Sequence, residues 1–392
     1  MNRHAKKYKL RVIHSFPVWL PQTQTWMYNQ VRYLPDDIEA HIVCERTANL
    51  DQFGLPHIHS LDQAPRWRYH WDMRLRMHGV RQYLGYLVSQ SRRLRAGIIH
   101  SHFGDIGWAD MGAARRAGVK HVVTFYGQDV NFLPTVHPEW KTRYQDLFSH
   151  VDRVLCEGPH MAKCIADLGC PPYKILVQRL GVRVDQIPFK IRQWDPSEPL
   201  RVLIASTFRE KKGIPYALEA LGRFQGEVPL EVTIIGDASD APGSMNEKKK
   251  ILAVMEKYGL MQKTRMLGYR PHSVFFEEAL EHHIFLSPSI TATDGDTEGG
   301  APVSIIEMAA SGMPIISTTH CDIPGVIRHG ETGLLAPERD VESLISHLTW
   351  SVGHWDRWSE MVKMGRTHIE RNFNAVTQGT LLMKIYQELM EK

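Results

Sequence analysis

The sequence predicts an α/β chain made of two doubly wound parallel-sheet domains facing a central cleft. Three observations carry that prediction. Short apolar runs alternate with segments of helical length, as expected for parallel strands covered on both faces. The rhythm occurs twice, on either side of an aperiodic stretch rich in proline and charge, FKIRQWDPSEP at 189–199. A chain of 392 residues, 43% hydrophobic, has enough apolar material for two cores rather than one.

In chain order, the first half offers the strands RVIHSF, AHIVCE (40–45), GIIHSHF (97–103), HVVTFYG (121–127), RVLCEG (153–158) and KILVQRLGV (174–182). The second half offers LRVLIAST (200–207), LEVTIIGDA (230–238), TRMLGYR (264–270), HIFLSPS (283–289), MPIISTT (313–319) and TGLLAPE (332–338). The aperiodic stretch reads as a linker and places the domains at 1–190 and 191–371. The segment NAVTQGTLLMKIYQELM has amphipathic spacing, so a helix over 372–392 is expected to pack back on the first domain. In such sheets ligands bind beyond the carboxyl ends of the strands, and the loops there are where chemistry is sought.

Charge is uneven along the chain: residues 1–180 hold 24 Lys and Arg against 15 Asp and Glu, and the remainder 23 against 28. An anionic partner surface is therefore expected on the first half. The cysteines Cys44, Cys156, Cys164, Cys170 and Cys321 are scattered and form no C-x-x-C pair, which speaks against a disulfide framework or zinc knuckle and for a reducing cytoplasm. The basic N-terminus MNRHAKKYKLRVIHSF has too short an apolar part for a signal peptide, and nowhere do about 18 apolar residues run together.

The densest chemistry lies in the second half. HIFLSPS reads as a strand, ITATDGDTEGGAP as a loop, and VSIIEMAAS as a helix stopped by Gly312 and Pro314. Ser304, Glu307 and Ser311 form one polar stripe on that apolar helix. The stripe is either a solvated face or the lining of a ligand site, where Gly299 and Gly300 let backbone N–H groups approach an anion. Upstream, LRVLIAST runs into FREKKGIPYALEAL, with Arg209, Lys211 and Lys212 at the end of the strand. These cations suit a diphosphate leaving group, and an exposed basic loop is the plain alternative.

The ordered series EKKG, IIGDA, LGYRPHSVFF, IFLSPS, EGGAPVSIIEMAASGMPIIST and CDIPGVIRHGETGLLAPERD resembles the retaining glycosyltransferases of family 4, which have the GT-B fold. The resemblance spans nearly the whole chain and is strongest over 200–340. It implies that Glu307 binds the donor ribose as the second glutamate of an E-x7-E signature. Glu298 would be the first glutamate, near the hexose, with the backbone of Gly299, Gly300, Ala301, Pro302, Val303 and Ser304 on hydroxyls and diphosphate. Lys212 resembles the lysine that stabilises the departing diphosphate. Thr207, Gly236 and Tyr269 fall where the donor is bound. The reaction implied is transfer of a hexose from a nucleoside diphosphate sugar to an acceptor hydroxyl, with no metal and no other cofactor.

The sequence departs from the family pattern at three points. Glu298 and Glu307 are nine apart rather than eight, so the Gly-Gly turn must absorb one residue. The arginine usual before the lysine is missing, and Arg209 is the candidate to supply its charge. Tyr126, in HVVTFYGQDV, stands where many relatives have a histidine near the transferred sugar. A phenol cannot carry a proton near neutral pH as imidazole can, which makes Asp129 the further candidate for a sugar or acceptor hydroxyl.

On the acceptor side, His100 and His102 share one side of a strand. A buried pair and an acceptor-facing pair both fit; a metal site is not expected without an accompanying cysteine or carboxylate motif. His102, nearer the carboxyl end, is the acceptor candidate, together with Thr23, Gln24 and Thr25 in the loop PQTQTWMYNQV. The pair Asp294 and Asp296 resembles a metal-binding DxD and is taken as loop, because basic groups already serve the diphosphate.

Segment 66–97 holds eight arginines, five Trp or Tyr residues and one acid, Asp72. That composition suits an anionic membrane surface, at the inner face of the plasma membrane, better than nucleic acid, and an ordinary helix with aromatics in the core remains open. A lipid-linked saccharide is the acceptor such a surface would serve. Two alternatives to the transferase stay open: an epimerase on the same fold, or a non-catalytic sugar-nucleotide-binding subunit.

Overall fold

Two parallel sheets carry the chain, and the computed structural model describes residues 9–21 and 24–391 of it. The chain falls into two units: one runs to Arg183 and resumes at Asn374, and the other is Val184–Phe373.

In the first unit the strands are β1 (Leu10–Trp19), β2 (Ile38–Thr47), β3 (Ile58–Ser60), β4 (Ile98–His102), β5 (Lys120–Thr124), β6 (Arg153–Cys156) and β7 (Ile175–Val177). Their order is β3-β2-β1-β4-β5-β6-β7, all parallel, so the winding reverses between β1 and β4. The register of β1 on β4 sets His14 opposite His100. With side chains alternating along each strand, His14, His100 and His102 then share one face. β3 was not anticipated, because three residues with one isoleucine leave no apolar run to read.

The second unit has β8 (Leu200–Ala205), β9 (Leu230–Ile235), β10 (Thr264–Gly268), β11 (Ile284–Ser287), β12 (Ile315–Thr318) and β13 (Leu334–Ala336), in the order β10-β9-β8-β11-β12-β13. Here the winding reverses between β8 and β11. The two-domain doubly wound prediction holds, because strands covered on both faces carry short apolar runs that stand out between helical segments.

The Ala375–Met390 helix belongs to the first unit, where Leu382, Tyr386 and Leu389 pack with Val12, Ile98, Val122 and Leu155. Each fully buried leucine of this kind contributes about 1.5–3 kcal/mol relative to exposure.

The linker expectation at 189–199 is corrected. Arg192 is 4% exposed, and its guanidinium donates to the carbonyls of Ala279 (2.8 Å) and Ser311 (2.8 Å). Trp194 joins the core of the second unit. Aperiodic sequence here reflects an irregular strap bound by side chains, not a free tether. Among the described residues no helix is long and apolar enough to cross a membrane.

Candidate active site

Two loops leave the carboxyl ends of β8 and β11, the neighbouring strands at which the second sheet reverses. The loop after β8 turns at Gly213, with φ of +62°; a Cβ there would lie 2.0 Å from the Pro288 carbonyl oxygen, so only glycine fits. This close approach lays the 209–213 loop against the end of β11 and brings Lys212 to Glu298. Lys212 Nζ is 2.8 Å from Glu298 Oε2, and Ser289 Oγ donates to Oε1 at 2.8 Å. Burial alone would push the Glu298 carboxyl up, but the charges of Lys212 and Lys211 outweigh it and hold it at about 2. Burial lowers Lys212, with Glu298 opposing the shift. The result is a partly buried, hydrogen-bonded ion pair at the foot of the loop.

The other cations of the loop have a different partner. Arg209 Nη2 lies 2.7 Å from Asp296 Oδ2, and Lys211 Nζ lies 3.1 Å from Oδ1 and 2.7 Å from the Thr297 carbonyl oxygen. Two expectations change with this. Asp296 is a buried counter-ion rather than mere loop, and Arg209 is tied to it rather than standing as a free positive charge.

In the Gly-Gly turn, Gly299 takes φ of +76°. The Glu298 N–H donates to His320 Nε2 at 3.1 Å, and His320 Nδ1–H donates to Glu338 Oε1 at 2.6 Å. Glu338 Oε2 accepts the Thr291 N–H at 2.7 Å. His320 is therefore held as the Nδ1–H tautomer, clamping the turn between two loops. Neither His320 nor Glu338 was singled out from the sequence. Both lie in or beside the CDIPG and GLLAPERD blocks, but nothing in their spacing shows that they meet.

After the turn, Ala301, Pro302, Val303 and Ser304 are partly exposed, and the Val303–Ser311 helix has no side-chain cap at Pro302. Its first N–H groups can meet an anion. The polar stripe is not a solvated face: Glu307 is 8% exposed and Ser311 is 1% exposed. Ser311 serves the Arg192 strap, while Glu307 Oε1 lies 2.9 Å from His272 Nε2. That hydrogen bond raises the His272 pKa against the effect of burial. His272 sits in the quoted LGYRPHSVFF block and was also not singled out.

The remaining donor candidates contribute mainly backbone. Thr207 is partly exposed at the end of β8, and its carbonyl accepts the Arg209 N–H at 3.0 Å. The Gly236 N–H donates to the Gly268 carbonyl at 2.9 Å. Tyr269 is half exposed, with its hydroxyl donating to the Asp237 carbonyl at 3.0 Å.

In the first unit, Tyr126 follows β5 and is 7% exposed. Its hydroxyl is 2.6 Å from His102 Nδ1 and 3.0 Å from Gln30 Oε1. His102 Nε2 is 3.0 Å from His14 Nδ1, while His100 meets the Tyr386 hydroxyl and Thr124 Oγ1, each at 2.6 Å. Burial lowers all three histidines, which are therefore neutral near pH 7. The cluster is close-set enough to suggest a metal, but both nitrogens of His100 and both of His102 already have hydrogen-bonding partners. Of the cluster's ring nitrogens, His14 Nε2 alone lacks a partner among the described residues.

Two acceptor-side expectations are corrected. His102 is fully buried, with its Nδ1 on the Tyr126 hydroxyl, so it is not itself open to an acceptor. Asp129, 3% exposed, spends its carboxylate on the backbone: Oδ1 accepts from Tyr126 N–H (3.0 Å) and Gly127 N–H (2.9 Å), and Oδ2 from Gly104 N–H (2.7 Å). Burial pushes its carboxyl up to about 7 despite those bonds. It shapes the turn that presents Tyr126. Gln24 is partly exposed just before the Thr25–Arg32 helix, Thr25 opens that helix, and Thr23 lies outside the described residues. Gln30, from the same helix, is the contact the sequence did not reveal.

Residues 187–367 match the family model "Glycosyl transferases group 1" and residues 23–186 the model "Glycosyltransferase Family 4". The chain is 30% identical over 300 residues to the putative colanic acid biosynthesis glycosyltransferase WcaL of Salmonella typhimurium, covering 75% of this chain and 71% of that one. It is 32% identical over 273 residues to the amylovoran biosynthesis glycosyltransferase AmsK of Erwinia amylovora, covering 69% of this chain and 64% of that one. Its fold is similar to that of Anabaena HepE in complex with UDP and glucose, with a TM-score of 0.74 at 13% identity over 97% of this chain and 100% of that one. The architecture is GT-B.

Proposed function

The chain belongs to the family 4 glycosyltransferases and serves polysaccharide biosynthesis, and from that premise we propose a retaining, metal-independent transfer of a hexose. The donor is a nucleoside diphosphate sugar, and the acceptor is a hydroxyl of a lipid-linked saccharide. The reaction takes place in the cytoplasm, at the inner face of the plasma membrane. The observation that carries this reading is the Lys212–Glu298 pair beside the uncapped helix start at Val303.

The anomeric C–O bond to the diphosphate breaks as the bond to the acceptor oxygen forms on the same face. The acceptor proton passes to the departing phosphate oxygen. Negative charge grows on the diphosphate, where Lys212 and the N–H groups of Val303 and Ser304 neutralise it in the transition state. Glu298 directs Lys212 and takes the hexose hydroxyls, and Glu307 takes the ribose. No step calls for a divalent ion, because fixed positive groups perform the neutralisation a metal would otherwise supply.

A thermal-shift panel of UDP-, GDP- and ADP-sugars, each with and without EDTA, tests the donor half of the reading. A donor at 100 times its Kd stabilises by about 2.7 kcal/mol. One base class should shift the melting temperature, unchanged by EDTA. A flat panel refutes nucleotide-sugar use, and a shift lost in EDTA refutes metal independence. Anomeric configuration of the product, read by NMR, tests retention.

A further inference from the structure

We propose that His41, His57 and His59, on one face of the β2–β3 edge of the first sheet, bind a divalent transition ion of the zinc type. The site goes beyond the transfer reaction and shares no residue with the loops of the candidate active site. The sheet itself brings the three rings together. Val43 stands opposite His59 in the β2–β3 register, and the Ile42 N–H donates to the His57 carbonyl at 2.8 Å. Side chains alternate along extended chain, so Glu39, His41, His57 and His59 fall on the same side. The ring centroids of His57 and His59 lie 4.8 Å and 5.4 Å from that of His41.

Proton positions follow from the partners. Glu39 Oε1 lies 3.0 Å from His41 Nε2; a carboxylate only accepts, so Nε2 carries the His41 proton and Nδ1 offers a lone pair. His59 Nε2 is 3.2 Å from that lone pair, and His59 Nδ1 accepts from Arg93 Nη2 at 3.3 Å. Two imidazole nitrogens 3.2 Å apart can both reach one ion at about 2.0–2.1 Å, the zinc–histidine distance. Glu39 is the outer partner a metal-bound imidazole commonly has, and Arg11 Nε steadies it in turn at 3.2 Å. His57 is exposed, so rotation of its side chain delivers the third nitrogen, and water completes four-coordination. Burial lowers His41, and burial followed by the charge of His41 brings His59 to about 4, so both rings are neutral near pH 7. On binding, the His59 proton moves from Nε2 to Nδ1 through solvent and the ion takes Nε2. Arg93, exposed and also bonded to Gln90, turns away. The ion thereby ties the short edge strand β3 to β2. The His14–His100–His102 cluster lacks these features: it is closed to solvent, and its outer partners are the hydroxyls of Tyr126, Tyr386 and Thr124.

The test is calorimetric titration of Zn²⁺ into the untagged full chain, stripped with EDTA and desalted, with Co²⁺ absorption as a check on the ligand set. One ion per chain should bind, Mg²⁺ should not compete, and the melting temperature should rise with Zn²⁺. His57→Ala, which removes an exposed side chain, and His59→Gln should each weaken binding by about tenfold or more. Glu39→Gln should weaken it by about 10–100-fold. Arg93→Ala should tighten it, because a cation beside His59 is gone. Without Zn²⁺, His57→Ala should melt like wild type, which excludes a folding defect. The donor-induced shift should be the same with and without Zn²⁺; its absence while Zn²⁺ still binds would count against the transfer reading and not against this site. Failure of wild type to bind Zn²⁺, or equal affinity in wild type, His57→Ala and His59→Gln, as adventitious binding to scattered surface histidines would give, would overturn the proposal.

Discussion

His272 Nε2 lies 2.9 Å from Glu307 Oε1, so the carboxylate proposed to take the donor ribose also meets an imidazole. The bond raises the His272 pKa above its usual 6.5. A raised pKa contributes stability that is complete below the unfolded value and is lost as pH rises through the folded one. If Glu307 takes the ribose, protonated His272 competes for it, and donor affinity should improve several-fold as pH rises from below to above the raised His272 pKa. His272→Gln should flatten that profile. Isothermal titration across the range decides it, and an equally steep profile in the variant would remove His272 from the donor site.

Lys212→Met should reduce transfer by about 10²–10³, the scale of losing a fixed charge from a developing anion. It should also destabilise by about 3–5 kcal/mol, because Glu298 is left buried without its partner. Lys212→Met with Glu298→Gln should regain much of that stability and none of the activity. Denaturant melts and initial rates on the three proteins separate the two effects.

Glu298 is depressed to about 2, so its contribution is present above the unfolded value near 4.5 and is lost as pH falls toward 2. Glu298→Gln should remove that part of the acid sensitivity. Urea midpoints at pH 5 and pH 3 should differ less in the variant than in the parent protein.

Tyr126→Phe strands His102 Nδ1 and Gln30 Oε1 and should cost about 1–3 kcal/mol. If the hydroxyl also meets the sugar, kcat falls further than the stability loss explains. Rates measured well below the melting transition distinguish the outcomes, and an unchanged kcat would confine Tyr126 to a structural role.

Arg192→Met should destabilise the second unit by about 2–4 kcal/mol, since it leaves the carbonyls of Ala279 and Ser311 buried without this donor. Hydrogen exchange at 189–194 should rise with it. An exposed tether would show neither change.

The architecture was legible because β8 and β11, like the Ile98-Ile99 and Val122-Val123 stretches of β4 and β5, read as short apolar runs between helical segments. Loop positions were legible for the same reason, since each loop follows a recognisable strand. Partnerships were not. Asp296 takes Arg209 and Lys211 across 85 or more residues of chain, and nothing local distinguishes it from Asp294. Asp129 looked like a ligand group because a carboxylate beside a strand end usually faces solvent, yet here it answers three backbone N–H groups. The aperiodic 189–199 strap was misread because side chains, not regular hydrogen bonding, hold it in place.

Because Leu382, Tyr386 and Leu389 complete the packing around Val12 and Ile98, the first unit is discontinuous in the chain, and Val184–Phe373 is an insert within it. During synthesis the inserted unit can finish folding while the earlier one still waits for its last helix. A fragment ending near Arg183 would be an unfinished protein with a bare apolar sheet face, whereas Val184–Phe373 carries its own core intact.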